Sequence, residues 1–381
     1  MFDFEPTQAQ RRLIDAARDF ARHRVMPIAA SSDESSSFPV DLMGEAHTLG
    51  LLNVTIPSDC GGPELGHLES GLVTEQLAYA CLGIQSSLTA NVLVTTALLL
   101  AGGATQKRKY LGWLAREPVM AAFAASEAVA GSDLAAMKCR AVPDGAGGYT
   151  LSGTKQWVTN ANFASYFIVF ATDAPESRHR GIGAFIVERS QCGVTPGRPV
   201  RKLGQRASDT APLELQDVRV SADAVLAPPG HGFKLAMDTF TRTRPEIAAA
   251  SAGLMQRCLD EAMAYSKGRT SFGVPIAKHQ LVASMLADMA IRVEATSLLA
   301  RKAAWAIDQG RPDPVISSSA KAFGADCAMQ TAIDAVQIFG GNGYTTDYPV
   351  EKLMRDAKIL QIYEGTSEVQ RLVIARQMLE L

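Results

Sequence analysis

The chain has 381 residues, of which 47% are hydrophobic and 20% charged, and its formal net charge is −2. That length allows two or three domains and a core of useful size. A near-neutral balance with no long basic or acidic block argues against a nucleic-acid binder, which would show a basic face.

Met1 to Pro6 has neither a basic n-region nor an apolar h-region, so no secretory leader is expected. From residue 8 to 28, apolar positions fall at Leu13, Ala17, Phe20, Val25 and Ile28, near helical spacing. The Ser-rich stretch from Ser31 to Pro39 reads as a polar loop. A helix follows from Val40 and closes before Gly50, and Pro57 to Gly66 is a Pro/Gly loop. Helices resume from Leu68 to Leu100 and from Gln106 to Arg116. The longest apolar stretch, about Val92 to Gly103, is too short to span a bilayer, so a cytoplasmic protein without membrane contact is expected.

From Val119 the character changes: Gly, Pro, Val and Thr become frequent and alternation appears. Asp144 to Gly148 is a turn, and a strand starts at Tyr149. Tyr166 to Ala171, Ile182 to Val187 and Leu213 to Val220 read as further strands. From Gly232 the chain is helical again. Leu281, Met285, Met289 and Val293 recur every four residues in a run ending at Gln309-Gly310, a helix of about 45 Å that should pack in a bundle. The expected organisation is α+β, with a helical domain over 1–118, a compact β domain over 119–232 and a second helical domain over 233–381.

The cysteines Cys60, Cys81, Cys139, Cys192, Cys258 and Cys327 are far apart without a C-x-x-C pair, and read as buried reduced thiols. The six histidines show no ligand spacing, so no metal site is expected.

Several short motifs each admit two readings. Ser367 with Gln370 forms a plausible capping box, which starts a helix there. Glu364 then lies just outside a helix N-terminus, beside Gly365. It is either a carboxylate stabilising the helix dipole or a base presented to a desolvated cleft, where burial raises its pKa enough to take a carbon-bound proton. Phe339-Gly340-Gly341-Asn342-Gly343-Tyr344 is not a dinucleotide fingerprint, since no strand precedes it and Thr346 stands at the third glycine position. It is a helix cap and turn or a point of backbone approach to a phosphate or flavin. Ser126 to Asp133 offers small residues and hydroxyls at the entry to the β domain. Trp157-Val158-Thr159, after the strand near Leu151, offers an aromatic face and a hydroxyl. Arg269 to Gly273 ends a helix with a cation, suited to the dipole or to a pyrophosphate.

Taken together, these segments resemble the acyl-CoA dehydrogenase family, its short- and medium-chain members above all, over essentially the whole chain. The resemblance is carried by Gln337 to Tyr344, Tyr348 to Lys358 and Gln361 to Ser367. In the same order come Ala130 to Asp133, Trp157 to Thr159 and Arg269 to Gln280, with Asp59 to Gly62 and Glu75 to Tyr79 near the N-terminus. It implies a helical domain, a β-barrel-like domain and a C-terminal four-helix bundle, a homotetramer, and FAD near a subunit interface. By resemblance, Phe123, Ser126, Gly131, Ser132, Trp157 and Thr159 face the flavin. Arg269, Ser271, Phe272 and Gln280 hold the pyrophosphate and adenosine side. Gln337 and Gly341 reach a neighbouring subunit's FAD, and Thr366 and Glu368 lie near the cofactor. Ser132, Thr241, Arg244 and Gly365 are the expected substrate contacts, and Gln85 to Asn91 the tail pocket, whose small Ser86, Ser87, Thr89 and Ala90 leave room for a short or medium chain.

Glu364 matches the family's catalytic base. The implied reaction has Glu364 remove the α proton of an acyl thioester while hydride leaves the β carbon for flavin N5, giving an enoyl thioester and sending electrons on to an electron-transferring flavoprotein. The thioester carbonyl would be held by the Glu364 N–H and a ribityl hydroxyl, as in an oxyanion hole.

Two departures stand out. The flavin loop, usually Thr-Glu-Pro, is Ser126-Glu127-Ala128, which keeps a hydroxyl and loses a rigid proline. Thr241 stands where an Asp commonly faces CoA, which weakens that grip and admits an acyl carrier protein thioester, a biosynthetic setting and desaturation at another position. An acyl-CoA oxidase on the same fold is the other enzymatic reading. A flavin monooxygenase has no need of Glu364, and a non-catalytic scaffold has no need of the flavin contacts.

Overall fold

The structure is a computed structural model and describes residues 5–380. Met1 to Phe4, where the leader was sought, lie outside the described residues.

The N-terminal part is helical. Thr7 caps α1 (Gln8–Phe20) through a reciprocal capping box with Gln10. The chain continues through a π turn and a 3-10 turn into α2 (Ala29–Ser35). The loop expected from Ser31 is therefore helical as far as Ser35. Burial overrides the weak serine propensity: Ser32 and Asp33 are buried, and Arg355 reaches across to Asp33 at 2.8 Å. Next come α3 (Asp41–Thr48), α4 (His67–Ala80), α5 (Leu82–Thr89) and α6 (Asn91–Ala101), then α7 (Ala104–Gln106), a π turn and α8 (Gly112–Arg116). By length and composition the 20 residues Leu82–Ala101 could span a bilayer, more than the sequence reading allowed. In the fold they are α5 and α6, which meet at Ala90, and both contribute to apolar cores.

The middle part is a mainly antiparallel sheet in the order β6-β7-β3-β2-β4-β5-β8, with β1 parallel to β4. Its strands are β1 (Met120–Ala124), β2 (Arg140–Pro143), β3 (Tyr149–Thr159), β4 (Ala164–Thr172), β5 (Ile182–Glu188), β6 (Val194–Pro196), β7 (Thr210–Val220) and β8 (Val225–Ala227). Trp157 and Thr159 lie within β3, not after it. The alternation of β4 explains how the sheet is seated. Phe167, Val169 and Ala171 face the sheet's own core, and Tyr166, Ile168 and Phe170 face the helices. Both faces are buried, so the strand is apolar from Phe167 to Ala171.

The C-terminal part begins with α9 (Gly232–Gly268). A hairpin, β9 (Thr270–Ser271) and β10 (Val274–Pro275), leads to α10 (Gln280–Asp308), then α11 (Pro314–Phe339), α12 (Val350–Ala357) and α13 (Ser367–Leu379). α9 is the hub against which α4, α10 and α11 pack. Gly253 is needed for this, because a Cβ there would lie 2.1 Å from the Glu75 carbonyl oxygen of α4. The cap of α13 is Thr366, whose hydroxyl accepts from the Val369 N–H, and not Ser367, whose hydroxyl donates to Asp326. All six cysteines are free, and Cys192 is exposed, contrary to the expectation of buried thiols.

Candidate active site

Pro245 lies inside α9. A proline there cannot donate to the carbonyl of Thr241, which loses its helical partner. Thr243, Arg244 and Glu246, around this break, are all buried, and Thr243 and Arg244 reach the loop before α13.

That loop carries Glu364. Its φ is 52°, in the left-handed region, and Gly365 follows at 88°. A Cβ on Gly365 would meet the Gln370 amide at 2.6 Å, so glycine is required there. The loop is pinned at its carbonyls: Lys321 Nζ donates to the Gly365 oxygen at 2.7 Å, and Gln370 Nε2 donates to the oxygens of Glu364 and Gly365 at 3.1 and 2.9 Å. Arg244 Nε lies 3.5 Å from the Glu364 oxygen, and its Nη1 donates to Ser318 at 3.2 Å. The Glu364 N–H has no acceptor among the described residues.

The Glu364 carboxyl accepts from the Thr243 hydroxyl at 2.8 Å. Part of the residue faces open space, but the carboxyl is enclosed, and burial pushes its pKa up. The Thr243 hydroxyl and the charges of Arg244 and Lys321 pull in the opposite direction without cancelling this. Burial likewise lowers Lys321 to about 8. The result is a carboxylate of raised basicity beside an unused backbone donor.

A second carboxyl, missed in the sequence, stands in α9 three residues after Thr243. Glu246 is 4% exposed, and its Oε1 accepts from the Ser70 hydroxyl of α4 at 2.7 Å. Burial raises it to about 8, with the Glu364 charge adding to the effect. The available signal was one glutamate ahead of the small apolar run Ile247 to Ala250.

The residues expected around the cofactor fall into groups. Ser126 lies beside the end of β3, because the Gln156 N–H donates to its carbonyl at 2.9 Å. A buried ion pair fixes this junction: Lys155 Nζ lies 2.7 Å from Glu127 and 3.2 Å from the Ala125 carbonyl. Glu127 also accepts from the N–H groups of Lys138 and Cys139, which satisfies the pair. Trp157, at φ 60°, is 60% exposed. Thr159 is half-buried, Ser132 and Gly131 are exposed, and the Phe123 ring packs tilted against Phe170 and edge-on against Phe240.

The second group is the β9–β10 hairpin. Arg269 and Gln280 are exposed, Ser271 is half-buried, and Phe272, at φ 52°, is 95% exposed. Among the described residues no hydrogen bond or ring contact joins this group to Trp157. Gln337 and Gly341 are exposed at the end of α11, and Thr366 and Glu368 open α13. Thr241 turns its hydroxyl back to the Met237 carbonyl at 2.9 Å.

This donor set suits a large flat cofactor with a phosphate tail. The hydroxyls of Ser126, Ser132, Thr159 and Ser271, the Arg269 guanidinium and the amides of Gln280 and Gln337 make no hydrogen bond among the described residues. An exposed tryptophan face and a bare phenylalanine, both in left-handed backbone, are costly unless something covers them. A cleft of about 340 Å³ between α1, α4 and α9 is lined by Arg18, Tyr79 and Asp260 and includes none of these groups.

Residues 7–118, 122–218 and 230–379 match the family models of the acyl-CoA dehydrogenase N-terminal, middle and C-terminal domains. A probable medium-chain specific acyl-CoA dehydrogenase of Caenorhabditis briggsae is 41% identical over 99% of this chain and 92% of its own. The butyryl-CoA dehydrogenase of Megasphaera elsdenii superposes with a TM-score of 0.96 at 36% identity, covering 99% of this chain and 100% of that one. A glutaryl-CoA dehydrogenase of Mycobacterium smegmatis, in complex with FADH2, does so at 0.92 and 28% identity, covering 99% and 96%.

Proposed function

The chain belongs to the acyl-CoA dehydrogenase family, and on that premise we propose that Glu364 takes the α proton of a short- or medium-chain acyl thioester. The enzyme is an FAD-dependent dehydrogenase. The observation that carries the reading is the Glu364 carboxyl itself: enclosed, raised in pKa, and held on the Thr243 hydroxyl at 2.8 Å.

Each residue then has a task. The thioester carbonyl accepts from the free Glu364 N–H, which stabilises the negative charge that develops on the oxygen as the α proton leaves. Glu364 holds that proton afterwards. Arg244, Lys321 and Gln370 grip the loop carbonyls so that donor and base stay in register. Bound FAD supplies the acceptor for the hydride leaving the β carbon. Trp157 would cover one face of the flavin, with Phe123, Ser126, Gly131, Ser132 and Thr159 around it. Arg269, Ser271, Phe272 and Gln280 would hold the pyrophosphate and adenosine. Gln337, Gly341, Thr366 and Glu368 would complete the site across the subunits of a homotetramer. Ser132, Thr241, Arg244 and Gly365 would border the substrate, and an electron-transferring flavoprotein would take the electrons.

A carrier-protein thioester is the second reading. It is favoured by Thr241, which offers no carboxylate and bonds its hydroxyl within its own helix. One experiment addresses both: an anaerobic visible spectrum titrated with butyryl- and hexanoyl-CoA and with the matching carrier-protein thioesters. Bleaching is expected, and the more effective series identifies the carrier. Glu364→Gln should keep its flavin and lose turnover by about 10²–10⁴-fold. Retained turnover in that variant would overturn the assignment. Oxygen consumption without another acceptor would mark an oxidase.

A further inference from the structure

The β4–β5 connection, residues 173–181, holds a backbone that its sequence does not favour. Its neck is closed by the Asp173 N–H, which donates to the Gly181 oxygen at 3.1 Å. Between them Arg178 sits at φ 53° and ψ −125°. That is the mirror image of extended backbone, which glycine adopts freely and a residue with a Cβ avoids. The bend carries the Arg178 side chain to Asp133, where one guanidinium nitrogen, Nη2, lies 2.7 and 2.9 Å from the two carboxyl oxygens. Both side chains are more than half exposed, and a solvent-exposed ion pair returns less than such a backbone costs. Stability alone therefore does not account for an arginine at 178. The connection is itself anchored, because the His179 ring packs against Phe233 of α9 at 5.8 Å.

Asp133 ends the loop that begins at Ser126. The first half of that loop is fastened: Lys155 holds Glu127, and Glu127 and Ala130 exchange N–H and carbonyl groups at 3.0 and 3.1 Å. The second half is not. Gly131, Ser132 and Asp133 are exposed, and their three N–H groups make no hydrogen bond among the described residues. Ala128 also lacks the proline ring that would stiffen the approach. Among the described residues Arg178 makes the one side-chain hydrogen bond to this half. We propose that Arg178 is a positioning residue: it clamps Asp133 so that the Ser132 end of the loop keeps its place against the flavin. The proposal rests on the flavin lying at Ser126 and Ser132, as read above, and Arg178 touches no reacting atom.

The test follows release of FAD from the holoenzyme after dilution, by the flavin fluorescence that release restores. Arg178→Gly should speed release about three- to fivefold, and Asp133→Asn by a similar factor. The doubly substituted chain should be no faster than either, because the same contact is lost in all three. Arg178→Lys keeps the charge and should recover most of the wild-type rate. Raising salt from about 0.05 to about 0.5 M should close the gap between wild type and Arg178→Gly, since an exposed pair is screened. A general loosening of the fold would show neither the recovery by lysine nor the closing gap. Ser126→Ala and Ser132→Ala test the flavin's place by themselves. If neither changes release, that reading falls and the clamp falls with it. If either speeds release while Arg178→Gly does not, the clamp alone falls. Factors that multiply in the doubly substituted chain, or a gap that salt leaves unchanged, would also overturn it.

Discussion

Glu246 makes a quantitative demand on stability. In the unfolded chain its carboxyl ionises near the ordinary 4.5, and in the folded chain near about 8. Between those values the unfolded state has lost the proton and the folded state still holds it. Raising the pH through this window therefore favours unfolding. Each pH unit contributes about 1.4 kcal/mol, so the full penalty above pH 8 is on the order of 3–5 kcal/mol. Glu246→Gln copies the protonated form and keeps an acceptor for Ser70, but cannot ionise. Its melting temperature should match wild type near pH 5 and exceed it by several degrees near pH 8.5, with the gap opening between. The assay is a melting series on both proteins at matched flavin occupancy. A gap independent of pH, or one that closes as pH rises, would refute the reasoning, because Glu246 would then ionise alike in both states.

Two further perturbations bear on the site. Thr243→Val removes the hydroxyl that favours the ionised form of Glu364. In the role proposed for it Glu364 must be ionised, so activity should fall as pH drops through its raised pKa; in the variant the rising limb of kcat/KM should move to higher pH, and an unmoved limb would count against the contact. Lys155→Met leaves Glu127 as a buried charge without its cation. It should cost about 3–5 kcal/mol and reduce flavin retention by loosening the Ser126 loop, with Glu127→Gln in the same chain recovering part of the stability. Unchanged unfolding in urea would exclude that role for the pair.

The order of helical, β and helical parts was legible because each rests on local periodicity. The long helix predicted to Gln309 is α10 over Gln280–Asp308. Glu364 is picked out as a candidate base by the resemblance that Gln361 to Ser367 carries, since its place ahead of a capped helix fits a dipole role as well. What failed to show depended on distant partners. The helix through Ser35 needs Arg355, 322 residues from Asp33 in sequence. The cap is Thr366 because Ser367 is drawn to Asp326, 41 residues away. Glu246 reads as an unremarkable helix residue until α4 brings Ser70 to it from 176 residues away. Pairings of that range leave no local pattern.

The left-handed backbone at Trp157 and Phe272 bears on how this protein would respond to laboratory selection. Each bulky residue holds a conformation that glycine adopts freely. A screen that scores only thermal survival of the flavin-free chain should replace both with Gly or Asn. A screen that scores turnover should keep them if their rings cover the cofactor as proposed. Positions 157 and 272 would therefore record, in the sequences that survive, which of the two properties had been rewarded.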